Sequence, residues 1–76
     1  MTMPYAVVIE KGENGTYSAY VPDLPGCIAT GKTLEEVKQL IREAIEFHLD
    51  GMREDGLPIP LPSSVVDYVE INSRSA

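Results

Sequence analysis

Hydrophobic and polar residues alternate from Tyr5 to Lys11. Tyr5, Val7 and Ile9 fall on one side and Ala6, Val8 and Glu10 on the other, a period of two that predicts a strand. Gly12-Glu13-Asn14-Gly15 follows, and because Asn-Gly accepts the positive φ angles of tight hairpin turns, the chain is expected to return antiparallel. The return strand, Thr16 to Val21, sets Tyr17, Ala19 and Val21 on one face against Ser18 and Tyr20, the pattern of a sheet that covers something on one side. Pro22-Asp23-Leu24-Pro25-Gly26 then ends the ladder: proline has no amide donor, and Pro-Gly favours a turn with glycine in the left-handed region. A short strand is expected over Cys27 to Thr30.

The period changes after Gly31. Thr33-Leu34-Glu35-Glu36 has the form of a capping box, with the Thr33 hydroxyl accepting from the Glu36 amide and Glu36 reaching back to the Thr33 amide. Beyond it, Leu34, Val37, Ile41, Ala44, Ile45, His48, Leu49 and Met52 recur at helical spacing, with Leu40 and Phe47 widening the stripe, so one face of a helix packs on a sheet. Gly51 weakens that helix by about 1 kcal/mol relative to alanine, but Met52 continues the stripe and Asp55-Gly56 offers a better exit, which places the end near Glu54. Leu57-Pro58-Ile59-Pro60-Leu61-Pro62 is a stiff extended connector, because alternate residues lack an amide hydrogen. Val65 to Ile71 resumes strand chemistry, although Asp67 shares a face with Val65, Val69 and Ile71, so either the strand starts after Asp67 or that face is open there. The order is β-β-β-α-β: a two-layer α+β domain with an antiparallel sheet and one helix packed on it. A single domain is expected over residues 1–76, with its core in 3–71 and a polar tail over 72–76.

Size and charge narrow the function. A chain of 76 residues buries little more than ~60% of the surface it exposes when unfolded, so a partner or self-association is expected. Twelve Asp/Glu against six Lys/Arg leave a net charge of −6, a field that repels phosphate backbones and anionic lipid and attracts basic surfaces. One cysteine, Cys27, cannot close an intrachain disulfide. The start carries no basic segment followed by a long apolar one, and the apolar run Ala6 to Ile9 is far short of the ~20 residues that span a bilayer. A cytoplasmic protein without membrane contact is expected.

Catalytic chemistry has little to stand on. His48 projects from the apolar side of the helix without neighbours at ligand spacing, and Cys27 reads as a buried structural thiol. Glu10, Asp23, Asp67 and Glu70 are carboxylates that could gather a divalent metal, with Lys11 and Lys32 as the cations nearby, yet no motif forces them together. No phosphate loop or nucleophile triad is visible. No cofactor, no metal and no enzymatic activity are expected.

Taken in order, Tyr17, then Val21-Pro22-Asp23-Leu24-Pro25-Gly26-Cys27, Gly31, Thr33-Leu34-Glu35-Glu36, Glu43-Ala44-Ile45, Glu54-Asp55-Gly56 and Ile59-Pro60-Leu61-Pro62 resemble the HicB antitoxin family over roughly residues 5 to 71. The resemblance implies a partial ribonuclease-H-like fold without its catalytic set. It implies the antitoxin half of a type II toxin–antitoxin pair, binding HicA, a small basic mRNA-cleaving toxin, over its active surface. It also implies association as dimers or tetramers, and a homodimer is expected. Many members append a DNA-binding segment; the five residues after Ile71 hold none, so direct DNA binding is not expected. Toxin contacts are expected at Glu10, Tyr20, Asp23 and Glu36, which lie at strand ends, in the Pro-Gly loop or at the helix start. A metal-dependent nuclease using Glu10, Asp23, Asp67 and Glu70, and an orphan oligomeric interaction domain, are the alternatives.

Overall fold

The computed structural model describes residues 3–73. Three strands, β1 (Val8–Lys11), β2 (Tyr17–Tyr20) and β3 (Ile28–Gly31), precede one helix, α1 (Leu34–Glu54). The strands form an antiparallel sheet in the order β1-β2-β3, with Val8 opposite Tyr20 and Tyr20 opposite Ile28. The α+β architecture is the one the sequence pattern predicts.

Local chemistry makes each turn. At the hairpin, Gly12 donates its amide to the Thr16 carbonyl at 2.7 Å and Gly15 to the Gly12 carbonyl at 3.1 Å, with Gly15 at φ +84°. The Asn14 side chain accepts from the Thr16 amide and hydroxyl. Strand β1 is shorter than the alternation from Tyr5 suggests. Continuing its register sets Ala6 against Pro22, which has no amide to donate, so the ladder stops while Tyr5 and Val7 still pack on the core. The loop between β2 and β3 closes on itself through Leu24 to Val21 and Cys27 to Leu24, with Gly26 at φ +85°.

The Thr33 hydroxyl accepts from the Glu36 amide at 3.0 Å, capping α1 as expected. The reciprocal bond differs: the Glu36 carboxylate accepts from the Lys32 amide, one residue earlier than the capping box predicts. At the far end, Gly56 donates to the Arg53 carbonyl and Leu57 to that of Met52, the pair of bonds that ends a helix and satisfies its last carbonyls.

The core is thin. Ala19, Val21, Leu24 and Cys27 from the sheet side meet Val37, Ile41 and Leu49 from the helix, and Leu24 and Val37 are fully enclosed. The helix lies over β2 and β3 and makes no close approach to β1. Its buried stripe is narrower than the sequence suggests, because three short strands cover only part of a helix. Phe47, on the far side of the helix from that stripe, is 82% exposed, about 140° from the stripe's centre at helical spacing.

The expected fourth strand does not form. Residues 57–73 carry no ladder to any strand, and Val65, Tyr68, Val69 and Ile71 stand exposed. Two anchors direct this segment. The Tyr5 hydroxyl donates to the Pro60 carbonyl, with Ile59 packed on the core, and Ser63 and Ser64 bond to Asp23. The chain therefore crosses the end of the sheet from the β1 side to the β2–β3 loop and leaves from there. The 52 Å long axis, against 26 and 20 Å for the others, exceeds the ~31 Å that a helix of α1's length spans. Residues 74–76 of the expected tail lie outside the described residues.

Candidate functional site

Because α1 covers one face of the sheet, the side chains that alternate outward from β1, β2 and β3 form a second face that no element among the described residues covers. The register lines Val8, Tyr20 and Ile28 in one row across the sheet and Glu10, Ser18 and Thr30 in the next. Tyr20 is 44% and Ile28 67% exposed. Glu10 and Tyr20, expected as contacts, thus sit diagonally on adjacent strands of one open face. Val8 and Ile28 complete an apolar strip that sequence reasoning passed over. The outward alternation of Ile28 and Thr30 against Ala29 was its signal.

The other two expected residues hold the chain in shape and lie at opposite ends of the sheet. Glu36 accepts from the Lys32 amide at the end where β3 enters the helix. Asp23 accepts from the Ser63 and Ser64 amides at 2.9 and 3.0 Å and from both serine hydroxyls. The Ser63 amide, then the Ser64 amide and hydroxyl, hold its carboxyl down at about 2, from an ordinary 3.8, since four donors favour the charged form.

The carboxylates of the nuclease alternative do not come together. Asp23 is saturated by serines, Asp67 accepts from the Tyr68 amide, and Glu70 lies with Asp67 on the exposed segment. Among the described residues, no three His, Cys, Asp or Glu are grouped so as to hold a metal ion. Cys27 is buried and burial pushes its thiol up, the state of a structural cysteine. His48 is half-buried on the apolar side of the helix. No helix among the described residues is long and apolar enough to cross a membrane.

A one-sided sheet with an exposed aromatic and aliphatic strip, edged by carboxylates, defines a small two-layer α+β domain with one sheet face open. The sequence profile of the HicB-like antitoxin of bacterial toxin–antitoxin systems matches residues 5–74, and the chain belongs to that family. It is 36% identical over 70 residues to Antitoxin HicB 1 of Photorhabdus laumondii, covering 91% of this chain and 45% of that one. It is 42% identical over 67 residues to an uncharacterized 14.9 kDa protein of the rep-hol intergenic region of Haemophilus phage HP1, covering 88% of this chain and 50% of that one. The chain thus spans about half the length of these two relatives. The crystal structure of the N-terminal domain of Burkholderia pseudomallei antitoxin HicB superposes with a TM-score of 0.70 at 29% identity, covering 78% of this chain and 69% of that one.

Proposed function

We propose that this chain is a non-catalytic antitoxin of the cytoplasm that binds a small basic HicA-type toxin and covers its RNA-cleaving surface. Membership of the HicB-like antitoxin family carries the reading, and the charge agrees with it. A net charge of −6 speeds encounter with a basic partner and disfavours acidic ones. Glu10 and Tyr20 are the central contacts on the open face, with Asp23 and Glu36 as acidic groups at its two ends. A tyrosine on an otherwise flat sheet supplies large contact area at small entropic cost, the usual character of an energetic anchor. The chain acts as a homodimer or a higher homo-oligomer.

Titration of the purified chain against the basic toxin encoded beside its gene tests this. Binding that weakens steeply with added salt is expected, and Glu10→Lys with Tyr20→Ala together should cost at least ~10-fold in affinity. Coexpression should relieve the toxin's growth arrest. Failure of the unaltered chain to bind that protein at micromolar concentration would leave an oligomeric interaction domain with another partner.

A further inference from the structure

Asn14 and Gly15 form the tip of the β1–β2 hairpin, where every residue from Lys11 to Thr16 is exposed. The Asn14 side chain is nonetheless folded back over the turn. Its Oδ1 accepts from the Thr16 amide at 3.1 Å and from the Thr16 hydroxyl at 2.7 Å, and a Cβ on Gly12 would stand 3.2 Å from it. Gly15 has φ +84°, and nothing lies within 4 Å of the point where a side chain on it would begin.

An asparagine carboxamide is an electrophile, and the amide nitrogen of the following residue can reach its carbon. Attack of the Gly15 nitrogen on Asn14 Cγ closes a five-membered ring, and the negative charge that develops falls on Oδ1. Glycine contributes no side chain to obstruct the closure. Both Thr16 donors are already aimed at that oxygen, in the manner of an oxyanion hole. Only the part of their bonding that strengthens during attack accelerates it. A bond to an ionised oxygen is roughly twice as strong as one to a neutral oxygen, so each donor in this exposed turn gains about 5-fold in rate. One bond opposes the closure: the Gly15 amide donates to the Gly12 carbonyl at 3.1 Å and must give up its proton before the nitrogen attacks. Two bonds in favour against one leave the folded turn about 5-fold ahead of an unfolded chain.

We propose that Asn14 is a self-modification site, deamidated by its own hairpin with Thr16 stabilising the ring-closing step. Solvent base takes the Gly15 amide proton, the bond from nitrogen to Cγ forms, and the bond from Cγ to Nδ2 breaks, with Nδ2 leaving as ammonia on a proton from water. One water then opens the ring at either carbonyl, leaving an aspartyl or an isoaspartyl residue at position 14. The neutral carboxamide becomes a carboxylate, so the net charge goes from −6 to −7. In the isoaspartyl product the main chain runs through the side-chain carbon and is one atom longer, which displaces the 2.7 Å bond from Gly12 to Thr16. Both changes fall at the hairpin end of the sheet, one pair beyond Glu10 and Ser18. The tip thus records the age of the chain next to the open sheet face. The chemistry does not depend on the toxin reading, and the test uses the chain alone.

The full chain is held in warm, mildly alkaline buffer, folded and in denaturing guanidinium, and its peptides are followed by mass spectrometry over several weeks. Asn72, which precedes a serine, is the internal reference. Position 14 should show the mass change of amide-to-acid conversion sooner than Asn72, about 5-fold faster folded than unfolded, at a rate that climbs with pH. Enzymatic methylation counts the isoaspartyl product. Thr16→Val keeps the shape of the side chain and loses the donating hydroxyl, so it should slow the folded chain about 5-fold, whereas Thr16→Ser retains the donor and should retain the rate. Unchanged far-ultraviolet circular dichroism checks that both variants fold. No conversion at position 14, a folded rate at or below the unfolded one, or a Thr16→Val chain that converts as fast as the unaltered chain each overturns the proposal.

Discussion

Gly31 is buried where β3 hands over to the helix. A methyl group there would lie 2.9 Å from the Val37 amide nitrogen and 3.1 Å from its Cα, backbone that cannot swing aside. Gly31→Ala is therefore expected to destabilise the fold by about 1–3 kcal/mol, read as a lower urea midpoint at unchanged slope. Two residues on, Thr33→Ala removes the hydroxyl that accepts from the Glu36 amide, at a cost of about 1 kcal/mol. If urea melts show no loss for Thr33→Ala, the cap is not holding the helix start. Asp23 yields a pH prediction. Its folded value lies at about 2 against an ordinary 3.8, so it favours the folded tether above ~4, and that contribution is lost as pH falls through about 2. The Ser63 and Ser64 amide resonances should accordingly move with a midpoint near the lower value; a midpoint near 4 would mean the serines do not hold the carboxylate in solution.

At the scale of elements, the parts governed by near neighbours in the chain were legible. The hairpin at Asn14-Gly15, the loop through Pro25-Gly26, and a helix beginning at Leu34 and ending at Glu54 all follow from turn chemistry, capping and period. The inward faces of β1 and β2 were legible for the same reason, since alternation records which side is covered. Two readings failed, and both depend on what lies opposite. Phe47 widens the apolar stripe on paper, yet three narrow strands leave it in solvent. Val65 to Ile71 has strand composition, but a strand exists only through its partner's amides and carbonyls, and the Asp23 tether carries the segment away from the β1 edge without pairing it to β3. Among the expected contacts, Glu10 and Tyr20 were recognisable as free of core duty, while the Asp23–Ser63–Ser64 cluster, separated by some forty positions, left no local trace.

For the whole molecule, charge and shape divide the surface in two. The open sheet face presents Tyr20 and Ile28 beside Glu10 and faces outward toward a basic partner in our reading. The cleft at β1 sets Lys38, Arg42 and Arg53 against Glu46 and Asp50, with Arg53 paired to Asp50. Toxin binding should therefore tolerate Val69→Asp better than Glu10→Lys, read as affinities from the same titration. The amino-acid order alone determined the element types, the sheet-and-helix class, the family and the sign of the electrostatic field, because propensity, periodicity and net charge need no knowledge of what is distant. Only the tertiary structure decided that the helix sits off the β1 edge, that Asp23 is held ionised by serines, and that the last strand finds no place in its own chain. Each of these turns on which groups meet across space, where hydrogen bonds and burial are exchanged between residues far apart along the sequence.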